Sequence, residues 1–458
     1  MGAMTILSLP LPPRSMQPLW LILALLATGC EQVERGLESV LAEQATPTLV
    51  ATPTQAAPTL VAPPTATAEA APPGPTALVV WMPPFLAPSA DTPGGQALLE
   101  QITAFDEAHP DIPVEFYIKA VRGPGSAIAY LHSAPPVAPG VLPDLVLLNR
   151  ESLIEAAEGR LIVPISELLD PAILADLYPV AVDLGIVDGE LIGLPYVLEV
   201  QHAVFHEALF EEPPTSFEAI LSSPVPYLFP AAPQDSVNHT TLLQYMAAGG
   251  RLVDENGDPT LDEGALRAVL TFYAAAHQAG VIDPALFQIM EPAETWASYR
   301  DGLAGLATVT STLYLAERAR VRSTTGLIPI PTPDGQPYAL ATGWCWAVVT
   351  RNPERQAASM ALVNTLMNPV NQGVFSQASG WLPSQRAALA VWGDNDRYTA
   401  FGNTLLNQAQ PMPDEALLSV VGPSIQAAVE DVLLNNMLPI QAANEAAQRV
   451  NPAPAGSP

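Results

Sequence analysis

The sequence predicts an α/β fold. Short apolar segments typical of strands alternate with segments whose apolar residues recur at helical spacing. The strands are predicted at 78–81, 113–118 and 143–148, and the helices at 96–109, 126–133 and 152–159. Such alternation indicates parallel strands joined by crossover helices. The hydrophobic content of 49 % is enough for a sizeable core.

The carboxyl ends of these strands are the first candidates for a ligand site. In open α/β sheets, ligands bind in the crevice outside the carboxyl ends of the strands. Those ends lie at 81–85, 119–125 and 149–151. This pattern places Trp81, Asn149 and Glu151 among the candidate ligand-binding residues.

Residues 193–210 form the central segment of the folded chain. A Gly-Leu-Pro-Tyr turn precedes an extended run that is largely apolar. Because proline cannot donate to a strand ladder, the strand is predicted to begin after Pro195. Glu199 is a carboxylate inside this apolar run, and burying a lone charge is costly. We therefore expect Glu199 to be paired or to face a wet cleft.

The second half of the chain continues the mixture of helices and strands. Helices are predicted at 241–249, 263–280, 296–302, 353–367 and 414–449, and strands at 306–311, 327–330 and 338–350. An Asn-Gly turn at 256–257 predicts a hairpin over 253–261.

The charge balance excludes two classes of partner. The chain has 46 acidic and 17 basic residues, and its net charge is −29. Nucleic acid is recognised through clustered lysine and arginine, so it is excluded as a partner. An anionic lipid surface is disfavoured for the same reason. A diffuse negative charge suits the solubility of an exported protein.

Metal-binding and catalytic patterns are incomplete. His202 and His206 have no third ligand nearby. Residues 254–258 resemble a calcium loop, but Pro259 stands where its glycine belongs. Cys345 lies between two tryptophans, which indicates a buried apolar residue rather than a nucleophile. We predict no metal, no cofactor and no catalysis.

The amino terminus predicts export and anchoring. The apolar run at 19–28 is too short to span a membrane and suits the core of a signal peptide. It ends in Leu-Ala-Thr-Gly-Cys, which resembles a bacterial lipobox, so we predict a signal peptide over 1–29 and lipidation of Cys30. The alternative is an ordinary cleaved signal. An Ala/Pro/Thr-rich tether follows within 30–76, and 450–458 is a Pro-rich tail.

Several motifs, in their order, resemble one protein family. Val187-Asp-Gly-Glu leads into Gly-Leu-Pro-Tyr196, and Phe205-His-Glu-Ala-Leu-Phe210 stands where that family has Tyr-Asn-Lys-Xaa-Leu-Phe. The other motifs lie at 105–114, 143–146, 343–348 and 379–384. Together they resemble the extracellular solute-binding proteins of carbohydrate ABC transporters, over about residues 77–449.

The resemblance implies a fold and a mode of action. It implies a two-lobed, periplasmic-binding-protein-like fold that closes on ligand by a hinge and performs no chemistry. Lobe 1 would comprise 77–199 and 343–395, and lobe 2 would comprise 200–342 and 396–449. The implied partners are a small-molecule ligand, expected to be a carbohydrate, and the permease subunits of an importer. The protein would be a monomer, anchored on the outer face of the cytoplasmic membrane.

A sugar site combines groups that bind hydroxyls with flat aromatic rings that cover C–H faces. The candidate ligand-binding residues are Trp81, Asn149, Glu151, Tyr196, Glu199, Trp296, Ser311, Tyr314, Trp344 and Trp381. Core packing is the alternative for Trp81, Trp296 and Trp344, and for Trp381 the alternative is that it shapes its loop. Trp346 shares the face of Trp344 if their strand is regular, and either could be core. The first loop, 82–91, lacks the polar groups with which maltodextrin-binding relatives hold sugar.

Three other functions are compatible with the residues. The same fold binds other solutes, such as polyamines. A ligand-sensing or adhesive surface lipoprotein would need no importer. A hydrolase would need two carboxylates across the cleft, a role for which Glu151 and Glu199 are the candidates.

Overall fold

The computed structural model describes residues 77–133, 142–223, 225–234, 236–321, 323–393 and 396–451. The chain divides into two compact units, Met1–Ala71 and Pro72–Pro458, and every described residue belongs to the second. The predicted signal peptide, Cys30 and the tether lie outside the described residues.

The first part of the fold alternates strands and helices as predicted. In order these are β1 (Leu78–Met82), α1 (Pro93–Ala108), β2 (Val114–Ile118), α2 (Ala127–Ser133), β3 (Leu145–Asn149) and α3 (Arg150–Glu158). Helices α4 (Pro171–Asp176) and α5 (Pro179–Gly185) lead to a small hairpin of β4 (Ile186–Val187) and β5 (Glu190–Leu191). The long strand β6 (Leu194–His206) follows.

The second part contains the remaining strands and most of the helices. Its first elements are α6 (Phe217–Ser222), β7 (Tyr227–Leu228), α7 (His239–Ala247), α8 (Glu263–Gln278), α9 (Pro292–Arg300), β8 (Leu306–Thr310), α10 (Ser311–Glu317) and β9 (Thr325–Ile328). Its last elements are β10 (Ala339–Val348), α11 (Pro353–Leu366), α12 (Pro369–Ser379), β11 (Leu382–Pro383), α13 (Arg386–Ala390), α14 (Arg397–Gln408), β12 (Ala409–Pro411), α15 (Glu415–Leu433) and α16 (Pro439–Val450).

One mixed sheet connects the whole unit. Its main path is β2-β1-β3-β10-β6-β8-β7, and β9, β11 and β12 attach beside it. The parallel pairing predicted for the first three strands is confirmed, because β1 runs parallel to both β2 and β3. Strand β10 runs antiparallel to β3 and to β6.

Two cores lie along this sheet. The first contains Leu98 and Phe105 of α1 together with Tyr196 and Trp346. The second gathers side chains of α7, α8, α15 and α16. Strand β6 joins the two cores: its first half pairs with β10, and its second half pairs with β8 and β9. We call the regions around these cores lobe 1 and lobe 2.

Helix α14 packs in lobe 1. Its side chains Tyr398, Leu405 and Leu406 belong to the first core, although the sequence assigned residues 396–449 to lobe 2. Helices α15 and α16 pack on α8 in lobe 2. The helical region predicted over 414–449 consists of two helices, separated at 434–438.

The start of β6 corrects one prediction. Pro195 lies inside the strand rather than before it, and it pairs with Cys345. The register shifts between Trp344 and Cys345, which marks a β-bulge beside the proline. Proline is tolerated at a bulge because the ladder of hydrogen bonds is already interrupted there.

A partly buried ion pair stabilises lobe 1. Asp144, whose side chain is 6 % exposed, pairs with Arg355 of α11 and also accepts a hydrogen bond from the Val79 backbone N–H at 2.8 Å. Arg355 donates in turn to the carbonyl of Ala77 at 2.8 Å. The pair therefore ties α11 to β1 and to the start of β3.

Among the described residues, one helix has the length and hydropathy to cross a membrane. It is α15, of 19 residues, and half of its apolar window is buried within the fold. Its buried side chains, including Val421, Ile425 and Val429, belong to the second core. These contacts are those of a core helix.

Candidate ligand-binding cleft

A cavity of about 250 Å³ lies between the lobes. Lobe 1 contributes the loop after β2, the β3–α3 junction and the loop before β11. Strands β6 and β10 form its floor, and the start of α7 and the β12–α15 junction face it from lobe 2. Small-molecule sites are usually concave pockets of this kind, roughly 300–1,000 Å³ in volume.

The β3–α3 junction presents polar groups to the cavity. Asn149 ends β3 and caps α3, because its Oδ1 accepts a hydrogen bond from the Ser152 N–H at 3.1 Å. Glu151 follows in the first turn of α3 and pairs with Arg122 at 3.7 Å. All three of Asn149, Glu151 and Arg122 line the cavity. They lie at two of the strand ends that the sequence singled out.

Aromatic rings form one wall of the cleft. Trp344 and Trp381 line the cavity, and both are partly buried. Phe85, which is 50 % exposed, stacks on Trp381 at 5.8 Å between ring centroids. It also meets the ring of Trp344 edge-on at 5.3 Å. These three rings, which we call the aromatic wall, offer flat apolar surface in lobe 1.

Two neighbouring tryptophans of β10 lie at different distances from the cleft. Trp344 pairs with Val197, but Trp346 pairs with Leu194, which is three residues away rather than two. The extra residue, Tyr196, lies in β6, and β10 keeps a regular register with β3. Trp346 therefore shares the face of Trp344, as expected of a regular strand, and both pack on the first core. Trp346 is 1 % exposed and packs on Tyr196 in the first core, with ring centroids 5.4 Å apart. Trp344 pairs with Asn149 at the cleft end of β3, whereas Trp346 pairs with Leu147, two residues farther from the cleft.

Glu199 lies on the floor of the cleft. It pairs in register with Thr342 of β10, two residues before Trp344, and all three side chains line the cavity. The Thr312 hydroxyl donates a hydrogen bond to its Oε1. Burial raises the pKa of Glu199 above its usual value, and hydrogen bonds from Thr312 and Thr310 oppose that shift. This carboxylate therefore does face the cleft, as the sequence predicted.

An ion pair reaches across the cleft. Arg150, at the start of α3 in lobe 1, lies 3.6 Å from Asp414, which precedes α15 in lobe 2. The same guanidinium donates to backbone carbonyls at the end of α5, including that of Leu184 at 2.8 Å. The positive charge of Arg150 is therefore shared between a helix C-terminus and the carboxylate of the other lobe.

Residues 100–400 match the family model described as bacterial extracellular solute-binding protein. The chain belongs to this family. Its members bind solutes rather than transform them, so the solute-binding protein described here is not an enzyme. A search of curated proteins found no match.

Solved structures with the same fold bind sugars. The cyclic alpha-maltosyl-1,6-maltose binding protein from Arthrobacter globiformis is 17 % identical, with a TM-score of 0.67 over 82 % of this chain and 98 % of its own. The sugar-binding protein MalE from Xanthomonas citri is 19 % identical, with a TM-score of 0.64 over 82 % and 96 %. Maltose-bound MalE3 of T. maritima is 17 % identical, with a TM-score of 0.62 over 82 % and 99 %. At these identities the likeness establishes the two-lobed, periplasmic-binding-protein-like fold, as predicted.

Five of the ten predicted ligand residues line the cavity of the solute-binding protein. They are Asn149, Glu151, Glu199, Trp344 and Trp381. The other five lie outside the lining.

Two of those five are held in lobe 1. Trp81 is 3 % exposed, and its ring lies under the ammonium of Lys119 at 4.3 Å. The same ammonium lies 4.2 Å from the ring of Tyr130, and Lys119 is the only lysine in the sequence. Tyr196 is fully buried and stacks on Phe375 at 5.0 Å.

The other three lie near the second half of β6. Trp296 is 3 % exposed in a small core formed with Tyr299. Ser311 is fully buried, and its hydroxyl accepts a hydrogen bond from the Val200 N–H at 3.2 Å. Tyr314 is partly buried and stacks on Tyr398 at 5.3 Å. Each of these side chains has a packing role where it stands.

Sequence reasoning missed four notable cleft residues. Phe85 and Arg122 fall within the strand ends already marked as the ligand side of the sheet, so their position was the available signal. His239 and Asp414 approach from lobe 2, at the starts of α7 and α15. Only the tertiary fold brings those helix starts to β3 and β10.

The described residues contain no group of three or more His, Cys, Asp or Glu side chains placed to hold a metal ion. His202 is fully buried among the rings of Tyr314, Tyr398 and Phe401. Burial lowers its pKa to about 4.

Proposed function

We propose that this solute-binding protein captures a sugar or oligosaccharide between its lobes and hands it unaltered to an ABC importer. The observation that carries the proposal is the composition of the cleft. The partly buried faces of Trp344 and Trp381 line the same cavity as Asn149, Glu151 and Glu199. Sugars need this combination, because their hydroxyls bind carboxylates and amides while their C–H faces stack on rings. The sugars named for the structural neighbours support a carbohydrate ligand.

The polar groups have complementary roles toward hydroxyls. The Oδ1 of Asn149 already accepts the Ser152 N–H, which leaves its amide NH₂ as a donor. The carboxylates of Glu151 and Glu199 accept hydrogen bonds when ionised. A sugar hydroxyl both donates and accepts, so one ring can satisfy the amide and a carboxylate together.

Capture is proposed to work by closure of the lobes around β6 and β10. A ligand that contacts both sides of the cleft stabilises the closed arrangement by its extra contacts there. The Arg150–Asp414 pair lies across this opening at 3.6 Å, so closure would keep or shorten it.

Calorimetric titration with a panel of neutral mono- and oligosaccharides and their amino derivatives tests the proposal. We expect at least one member to bind unhydrolysed, and Trp344→Ala to weaken that binding by about tenfold, or ~1.4 kcal/mol. Glu107→Gln, on the exposed face of α1, is the control and should bind as the parent does. Binding of no carbohydrate, or equal binding by Trp344→Ala, would refute the assignment.

We also propose that Cys30 carries a lipid that holds the monomer on the outer face of the cytoplasmic membrane, beside its permease subunits. The lipobox-like Leu-Ala-Thr-Gly-Cys run supports the anchor. Metabolic labelling with an alkyne fatty acid should mark the parent and not Cys30→Ala, and crosslinking in native membranes should capture permease subunits. Equal labelling of both proteins would remove the anchor from the proposal.

A further inference from the structure

The cleft carries more negative charge than its own cations balance. Four carboxylates line it: Glu151, Glu199, Asp414 and Glu415. The two arginines that line it are already engaged. Arg122 pairs with Glu151 at 3.7 Å, and Arg150 pairs with Asp414 at 3.6 Å while donating to carbonyls at the end of α5.

Two carboxylates remain outside these pairs. In the described part of the chain, no arginine, lysine or histidine forms an ion pair with Glu199 or Glu415. Glu415 is exposed to water in the first turn of α15. Glu199 lies on the floor of the cleft, where the neutral hydroxyl of Thr312 is its hydrogen-bond donor. A carboxylate withdrawn from water without a cation is costly unless something compensates its charge.

The neighbourhood of Glu199 suits an ammonium group. Trp344 lies on the adjacent strand, diagonal to Glu199 in the β6–β10 register, and both side chains line the cavity. A cation over the face of a tryptophan is attracted by the ring quadrupole, and the attraction grows when water is excluded. One ammonium placed between the two side chains would meet a carboxylate on one side and a ring on the other.

The charge of the whole chain acts in the same direction. Its net charge of −29 raises the local concentration of cationic solutes and opposes anionic ones. An uncharged sugar gains nothing from this field. The electrostatic field of the chain and the carboxylate of Glu199 on the floor of the cleft therefore both favour a cationic ligand.

We propose that the captured solute is a carbohydrate bearing a protonated amine, with the ammonium bound by Glu199 and the sugar ring stacked against the aromatic wall. This inference rests on the proposed function of carbohydrate capture and narrows its ligand class. Glu199 thereby becomes the residue that selects for charge, and Trp344 and Trp381 the residues that select for a ring.

Matched ligand pairs separate charge from shape. Oligomers of β-1,4-linked glucosamine are compared with the same oligomers N-acetylated, and glucosamine and galactosamine with glucose and galactose, by calorimetric titration. Spermidine is included as an amine without a sugar ring. We expect the amine-bearing member of at least one pair to bind about tenfold or more tightly than its neutral partner, because a charge-assisted hydrogen bond is roughly twice as strong as a neutral one.

Glu199→Gln tests the residue. Glutamine keeps a hydrogen-bonding side chain of similar size, so the variant should lose the preference for the amine while neutral sugars change less than about threefold. Glu107→Gln removes one formal charge from the exposed face of α1 and should keep the preference. Glu415→Gln should keep it too. Urea unfolding of each variant confirms that the lobes are folded.

The outcomes distinguish this inference from the function on which it rests. Neutral sugars binding as tightly as their amines would overturn the inference and leave carbohydrate capture intact. An amine preference that survives Glu199→Gln, or that disappears only in Glu415→Gln, would overturn the role of Glu199. Spermidine binding without any carbohydrate binding would overturn both proposals, and so would a complete lack of response.

Discussion

Trp344 and Trp346 share one face of β10, but Trp344 lies at the cleft and Trp346 lies two residues deeper, in the first core. We expect their alanine variants to separate ligand binding from stability. Trp344→Ala should weaken binding and leave the fold nearly as stable as the parent. Trp346→Ala should destabilise lobe 1 and leave the affinity of the folded fraction near that of the parent.

The magnitudes follow from the surroundings of each ring. Truncating a buried tryptophan typically costs about 3–5 kcal/mol. Trp346 is 1 % exposed, but its indole N–H has no hydrogen-bond partner among the described residues, so removing it relieves one unsatisfied donor. We therefore expect a loss of about 3 kcal/mol for Trp346→Ala. Trp344 is partly buried and loses an edge contact with Phe85 at 5.3 Å, so about 1 kcal/mol is expected for its truncation.

Urea unfolding followed by circular dichroism measures both values. The slope of the free energy against urea should stay the same in the two variants, so that the shift in midpoint reports stability. Titration with the best sugar of the panel gives the affinities. Equal destabilisation by the two substitutions, or a binding loss confined to Trp346→Ala, would show that position along β10 does not divide these residues as described.

Three further predictions concern stability. Burial lowers the pKa of His202 from 6.5 to about 4, so the contribution of the neutral imidazole to stability is complete above pH 6.5 and falls by roughly 3 kcal/mol on acidification to pH 4. In urea unfolding, His202→Gln should flatten this dependence of stability on pH, and a variant with the same pH dependence as the parent would contradict the prediction. Burial raises the pKa of Glu199, so the ionised side chain destabilises the fold as pH rises through that raised pKa. Glu199→Gln should therefore unfold at a higher urea concentration than the parent at pH 8, and the difference between their unfolding midpoints should shrink at pH 4. Asp144→Ala removes the carboxylate that pairs with Arg355 and should cost about 3 kcal/mol, the low end for a buried pair because the guanidinium is 29 % exposed. The double variant with Arg355→Met should recover much of this loss, whereas equal stability of the single and double variants would show that the pair is not coupled.

Most of the architecture was predictable because it depends on local pattern. The first three strands and their helices were located within a few residues, since apolar spacing and flanking prolines mark them directly. The rule that ligands lie outside the carboxyl ends of strands also placed Asn149 and Glu151 correctly on the cleft side of the sheet. The same rule marked the segments that contain Phe85 and Arg122, although neither residue was predicted individually.

The remaining features depend on the tertiary structure, which residue spacing does not encode. Trp344 and Trp346 share one face of β10, so alternation could not show that Trp344 lines the cleft while Trp346 is buried in the core. Pro195 indicated a strand that begins after it, but the bulge in β6 allows the strand to include the proline. Asp414 lies beside Arg150 only because α15 packs in lobe 2. The order of residues alone does not predict this contact.

The lone lysine of the chain makes the protein an unusual subject for chemical labelling. Lys119 is held over Trp81 and Tyr130 at the end of β2, beside the cleft, and partial burial lowers its pKa so that more of the reactive neutral amine is present. Apart from a chain-terminal amine, an amine-directed dye can attach only at this side chain. A fluorophore placed there would mark lobe 1 alone, and a second one on a cysteine introduced in lobe 2 would report opening and closing in single molecules without any other change to the surface.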